Sequence, residues 1–201
     1  MIAVIDYDAG NIKSVEKALE YLGADARLTR DEKDILSADK VILPGVGAFG
    51  DAMSRLDDYG LTPVIKKVSA DGVPFMGICL GLQLLFQESE ESPGVQGLGL
   101  LEGKVLRFPA DMGLKIPQIG WNKLKLQRQG RLFEGLDDPY VYFVHSYYLA
   151  AKDENIVRAT ADYGITFHAS VESGNVFACQ FHPEKSSEQG LKILENFLSL
   201  K

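Results

Sequence analysis

Ile2-Ala3-Val4-Ile5 is an unbroken apolar run, and beyond it the apolar positions change to helical spacing at Val15, Ala18, Leu19 and Leu22. A short continuous run suits a strand covered on both faces, as in a parallel sheet. Asn11 reads as the N-cap of the following helix and Gly23 as its stop. The alternation then continues. Ala24 to Thr29 and Val41 to Leu43 read as strands, residues 48–59 and 61–71 as helices, and Val73 to Ile78 as a fourth strand. Pro44-Gly45-Val46-Gly47 makes the turn after the third strand unusually rich in glycine.

Past position 92 the pattern changes. Pro93 to Gly103 is a glycine-rich connection, and Lys104 to Phe108, Gly120 to Leu126 and Tyr140 to Leu149 follow as strands without helices between them. Ile156 to Thr160, Ile165 to Val171 and Val176 to Phe181 continue in that style, with Glu172-Ser173-Gly174-Asn175 as a hairpin-type turn. A last helix starts near Ser186, where Ser186 and Gln189 have capping-box spacing, and Leu191, Leu194, Phe197 and Leu198 form its apolar stripe. The expected fold class is α/β. It has a mostly parallel central sheet with helices on both faces, then additional antiparallel strands in the C-terminal half. No repeat or linker divides it, so residues 1–201 read as one domain.

With 201 residues, 46% hydrophobic and 24% charged, the chain can bury a substantial core. Its net charge of −7 argues against a nucleic-acid partner, which would call for a basic face. Two cysteines, Cys79 and Cys179, are too few for a disulfide scaffold and lack zinc-ligand spacing, so no metal is expected. The N-terminus lacks the basic flank and cleavage site of a signal peptide, and no apolar run approaches membrane-spanning length. The expectation is a cytoplasmic protein with reduced thiols.

The chemistry concentrates in two segments. Gly77-Ile78-Cys79-Leu80-Gly81 places a thiol between glycines, directly after a strand and before a helix. Such a turn lifts its central side chain above the carboxyl edge of the sheet, as in a nucleophile elbow, and the helix start favours thiolate. A buried structural cysteine is the competing reading, and both glycines weigh against it. The second segment, His182-Pro183-Glu184, lies 103 residues further on. Pro183 keeps His182 extended, which would turn Glu184 to the same side. A thiol, an imidazole and an orienting carboxylate form an activated nucleophile.

An ordinary thiol, ionising near ~8.5, is only a few per cent thiolate at neutral pH, so full ionisation gains roughly thirty-fold. One oxyanion donor can contribute ~10²–10³, so donors are required. The Leu80 amide is one, and the 44–47 loop is the natural source of another, although it also reads as a plain tight turn. His145 ends an apolar strand, where a core hydrogen bond is the favoured role and lining a site the alternative. His168 reads as a residue of a solvated strand face, Cys179 as a small core residue, and Glu88, Glu90 and Glu91 as a solvated helix end.

The elbow, the glycine loop and His-Pro-Glu together resemble a class I (triad-type) glutamine amidotransferase, over essentially the whole chain. The resemblance implies a flavodoxin-like fold, glutamine as substrate, no cofactor, and a γ-glutamyl thioester on Cys79. His182 would act as the base and Glu184 as its orienter. Leu80 and, after a loop rearrangement, Val46 would bind the oxyanion. Gly45, Gly47, Gln83, Ser146 and Tyr147 would surround the substrate. Asp6 to Val15, Pro44 to Gly50, Gly77 to Phe86 and His182 to Ser186 resemble one branch, whose members form a heterodimer with an eight-stranded β/α-barrel cyclase. That cyclase uses the ammonia to make imidazole glycerol phosphate and a carboxamide ribotide in histidine synthesis. Asn11, Trp121 and Lys185 match partner-facing positions of that branch. Gln118 departs from it, standing where histidine is common in Pro-His-x-Gly-Trp-Asn. Rival readings are a glutaminase serving another synthase, a thiol hydrolase of unrelated range, and a silent interaction subunit.

Overall fold

The computed structural model describes residues 1–10 and 12–201. The first half delivers the expected alternation: β1 (Ile2–Ile5), α1 (Ile12–Tyr21), β2 (Ala26–Thr29), α2 (Glu32–Leu36), β3 (Lys40–Gly45), α3 (Phe49–Asp58), α4 (Leu61–Ala70), β4 (Phe75–Cys79) and α5 (Leu80–Leu84). The second half is β5 (Glu88–Ser89), β6 (Gly103–Arg107), β7 (Gln118–Leu126), β8 (Tyr140–His145), β9 (Tyr147–Ala151), β10 (Val157–Tyr163), β11 (Ile165–Ser173), β12 (Val176–Cys179) and α6 (Ser187–Leu198). Among the described residues no helix is long and apolar enough to cross a membrane.

The main sheet runs β2-β1-β3-β4-β12-β11-β10-β7-β8. Its first five strands are parallel, and β11, β10, β7 and β8 continue it antiparallel. One core lies on the face under α2 to α5, built on Ile35, Phe49, Leu56, Ile65 and Leu82. The other lies under α1 and α6, built on Val15, Leu19, Ile193, Leu194 and Phe197. Each helix is therefore held by its apolar stripe rather than by length.

The departures have local causes. Helix α2 was not expected, because its only fully buried residue is Ile35; Asp31 caps it by accepting from the Lys33 and Asp34 amides at 2.8 and 3.1 Å. The expected strand over 140–149 is two strands. β8 pairs with β7, and the chain turns at Ser146 so that β9 pairs with β6 and β11. The acidic run is not a helix end, since β5 pairs in parallel with β6. The Ser186–Gln189 capping box does not form. Ser186 Oγ donates to His182 O, and Gln189 Oε1 accepts from the Tyr140 amide. His168 is half-buried rather than solvated, its Nδ1 accepting from the Ala151 amide at 3.0 Å. Cys179 is a fully buried core residue, as expected. The N-cap and partner-facing readings of Asn11 fall outside the described residues.

Glycine packing sets the carboxyl edge of the sheet. A Cβ on Gly81 would lie 1.8 Å from the Leu43 carbonyl oxygen, and one on Gly77 would lie 2.7 Å from the Gly81 carbonyl oxygen. Strand β3, strand β4 and helix α5 thus approach closer than any side chain allows. Gly81→Ala is expected to cost about 1–3 kcal/mol or more in urea unfolding, because backbone rather than a mobile side chain must yield. An unchanged midpoint would show that the junction is looser than this contact implies.

Candidate functional site

At the carboxyl edge of the parallel strands, where open α/β sheets bind ligands, β4 runs into α5 through Cys79. Cys79 has φ 55° and ψ −109°, a backbone region costing a non-glycine residue on the order of 1–3 kcal/mol. The Gly77–Gly81–Leu43 packing holds it there. Helix α5 is only five residues long, so what it offers is the free N–H of its first turn rather than a long macrodipole. Leu80 opens that turn.

His182 follows β12, the neighbour of β4, and its backbone amide donates to Tyr142 O at 2.9 Å. Its Nδ1 lies 2.8 Å from Glu184 Oε1, both side chains being almost wholly buried. The expected mechanism for that pairing needs correction. His182 is extended, but Pro183–Lys185 form a single 3-10 turn, and this turn rather than strand alternation brings the carboxylate back to the ring. With Nδ1 engaged, Nε2 is the nitrogen left for the thiol. Nε2 is buried without a fully formed hydrogen bond, as is common before substrate tightens a site. Burial pushes the imidazole towards neutrality, but the attraction of the Cys79 sulfur and the hydrogen-bonded Glu184 carboxylate outweigh it and raise its pKa.

Val46, Gly47, Leu80, Gln83, Ser146 and Tyr147 line one cavity of about 290 Å³ with Cys79. These positions, distant in sequence, meet around the sulfur. Gly45 stands apart from them: it is paired with Cys79 across β3 and β4 and packed under Tyr7, whose hydroxyl would meet a Cβ at 2.2 Å. Its role here is close approach, not contact with the cavity. Tyr7 Oη donates to Pro44 O at 2.9 Å, anchoring the glycine loop from below, and burial raises its pKa. A larger groove of about 720 Å³ runs along residues 126–136, but it contains neither cysteine nor histidine.

Other functional positions were missed or weighed differently. Glu91 lines the cavity, with Oε2 accepting from the Phe49 amide at 2.8 Å. An acidic run gives no sign of this, because the contact is made to Phe49, 42 positions away. His145 holds both of its suggested positions. It lines the cavity, and its Nδ1 lies 2.7 Å from Tyr147 O, with the ring packed among Phe108, Phe143 and Phe167. Burial lowers its pKa to about 4, so it stays neutral. Gln118 is its cross-strand partner and is fully buried, its Nε2 donating to Asn122 Oδ1 at 2.8 Å. Trp121 is 50% exposed and packs edge-on against Tyr142, while Lys185 is exposed beside Glu184. Among the described residues no group of three or more His, Cys, Asp or Glu is placed to hold a metal ion.

The family model for class-I glutamine amidotransferases matches residues 3–200. A protein of Syntrophotalea carbinolica named imidazole glycerol phosphate synthase subunit HisH is 52% identical over 203 residues, covering 98% of both chains. A protein of the same name from Methanothermobacter thermautotrophicus is 50% identical over 200 residues, covering 100% of this chain and 98% of its own. Among solved structures, a glutamine amidotransferase superposes with a TM-score of 0.77 at 23% identity, over 98% of this chain and 99% of its own. That likeness bears out the fold.

The raised pKa of His182 makes stability depend on pH. Its cation contributes stability that is fully present below the unfolded value near ~6.5 and is lost as pH rises through the folded value. Cys79→Ala removes one source of the shift, so histidine NMR should find the His182 midpoint lower by about one unit or more. An unmoved midpoint would mean that the sulfur does not face the ring.

Proposed function

The chain belongs to the class-I glutamine amidotransferase family, and from that membership and its site we propose that it is the glutaminase subunit of imidazole glycerol phosphate synthase. The observation that carries the chemistry is the elbow cysteine set against a buried imidazole–carboxylate pair. Cys79 Sγ attacks the carboxamide carbon of glutamine as a thiolate, its proton already held by His182. The Leu80 amide and, once the loop rearranges, the Val46 amide hold the oxyanion. His182 then protonates the leaving nitrogen, ammonia departs, and a γ-glutamyl thioester remains on Cys79. Water, deprotonated through His182, cleaves it to glutamate and restores the thiol.

The amino-acid end of glutamine lies among Gln83, Ser146, Tyr147 and Gly47, with Glu91 as the charge for its α-ammonium group. Ammonia must reach its acceptor without entering bulk water, where it would be protonated and lose its nucleophilicity. The acceptor is in a β/α-barrel cyclase, which forms imidazole glycerol phosphate and the aminoimidazole carboxamide ribotide for histidine synthesis. The outer face of β7 and β8 suits docking of that partner. Ile119 and Tyr140 are exposed with Trp121, and the row through Tyr142 leads to Val144 at the cavity. Lys185 flanks the site from the other side. The expected setting is the cytoplasm.

The test is glutamate release by this chain alone and with the cyclase barrel carrying its ribotide ligand. Strong stimulation by the loaded barrel is expected, with loss of about 10⁴-fold or more in Cys79→Ala. Trp121→Ala or Lys185→Ala should weaken the stimulation while leaving partner-free turnover unchanged. Full activity without the barrel, or none with it, would overturn the assignment. Glu91→Gln retains an acceptor for the Phe49 amide but removes the charge. It should raise KM for glutamine about ten-fold with kcat little changed. A fall confined to kcat would contradict the placement of Glu91.

A further inference from the structure

Outside the triad, Cys79 Sγ has two contacts among the described residues: the Val144 carbonyl at 4.0 Å, which accepts from the thiol, and one side-chain donor. Gln180 follows β12, is fully buried, and has Nε2 3.7 Å from Cys79 Sγ. Its backbone is fixed by donation to Ala169 O at 2.9 Å. Its side-chain oxygen accepts from Gln83 Nε2 at 3.0 Å, and Gln83 Nε2 also donates to Tyr147 O at 3.1 Å.

The orientation of both amides follows from chemistry, since the two ends of a glutamine amide are distinguished by their partners. The Tyr147 carbonyl can only accept, so the end of Gln83 facing it is the NH₂. That NH₂ spends its second hydrogen on Gln180, which must therefore present Oε1. The NH₂ of Gln180 is then left pointing at sulfur. Reversing Gln180 alone would set two NH₂ groups against each other in a buried space, a costly arrangement.

We propose that Gln180 is a further catalytic residue: its amide donates to the Cys79 sulfur and stabilises the thiolate, aimed by a relay from the Tyr147 carbonyl through Gln83. This rests on Cys79 being the nucleophile. The groups around that sulfur are His182 and Glu184 from the turn after β12, Cys179 within β12, Tyr7 after β1, His145 at the end of β8, and Glu91 in the cavity wall. Of these His182 alone can be cationic, since His145 is held neutral by burial. A neutral amide has a separate advantage at a position without solvent. It costs less to bury than a charge and acts unchanged at every pH. The relay also ties the nucleophile to the substrate pocket. Both hydrogens of the Gln83 amide are used within the protein, leaving its Oε1 free of the relay.

The test is the pH dependence of Cys79 alkylation by iodoacetamide in the full chain, with the modified peptide identified by mass. In Gln180→Leu the rate at neutral pH should fall about three- to ten-fold, and the midpoint should move upward. Gln180→Glu keeps the shape and an acceptor for Gln83 but replaces the donor by a carboxylate, so its shift should be larger. An unchanged profile in either folded variant overturns the proposal. Should neither fold, the wild type still decides. NMR signals of the Gln180 side-chain amide should follow the Cys79 titration, and their failure to move overturns it. Glutamine takes no part in these measurements. Glutaminase activity surviving Cys79→Ala would defeat the proposed function yet leave the Gln180 contact detectable, so the two failures are distinguishable.

Discussion

The site depends on three stretches of backbone packed closer than a methyl group permits. Leu43 at the end of β3, Gly77 in β4 and Gly81 in α5 meet with no room for a side chain at either glycine. That approach is what allows the chain to turn from strand to helix within one residue. It leaves Cys79 in a positive-φ conformation and directs its sulfur to the cavity. The strain is offset by the buried parallel strands on either side, β3 and β12.

Because the same two strands flank the elbow, they also deliver its chemistry. The end of β3 leads into the glycine loop, with Tyr7 bonded to Pro44 O beneath it. The end of β12 leads into Gln180 and His182, and one 3-10 turn brings Glu184 back to the imidazole. The antiparallel extension then closes the cavity from the far side. Its break at Ser146 lets His145, Ser146 and Tyr147 face the sulfur from a corner, where an uninterrupted strand would run past. Architecture and reactivity thus share their determinants.

Much of this was legible from local pattern. Continuous apolar runs marked the parallel strands, and Gly-x-Cys-x-Gly marked the elbow, because both are enforced by neighbours in the chain. Elements decided by distant pairing were harder to read. The break at Ser146 reflects a change of sheet partner within a run of uniform apolarity. Glu91 reads as one more acid of a solvated run, since its place at the cavity is marked by its bond to the distant Phe49 amide. Gln180 sat unnoticed beside His182, because its meaning lies in the amides of Gln83 and Cys79's sulfur, about a hundred positions away in sequence. Helix α2 carried a readable cap in Asp31 but too short an apolar stripe to announce itself.

All of this converges on one covalent step at one sulfur. The most direct measurement is intact and peptide mass spectrometry of the chain, paired with the loaded cyclase barrel and acid-quenched during turnover of glutamine. The account predicts a single glutamyl group, labile to hydroxylamine and confined to the peptide holding Cys79. A glutamyl group on any other residue, or sustained turnover in which Cys79 never carries one, would contradict it.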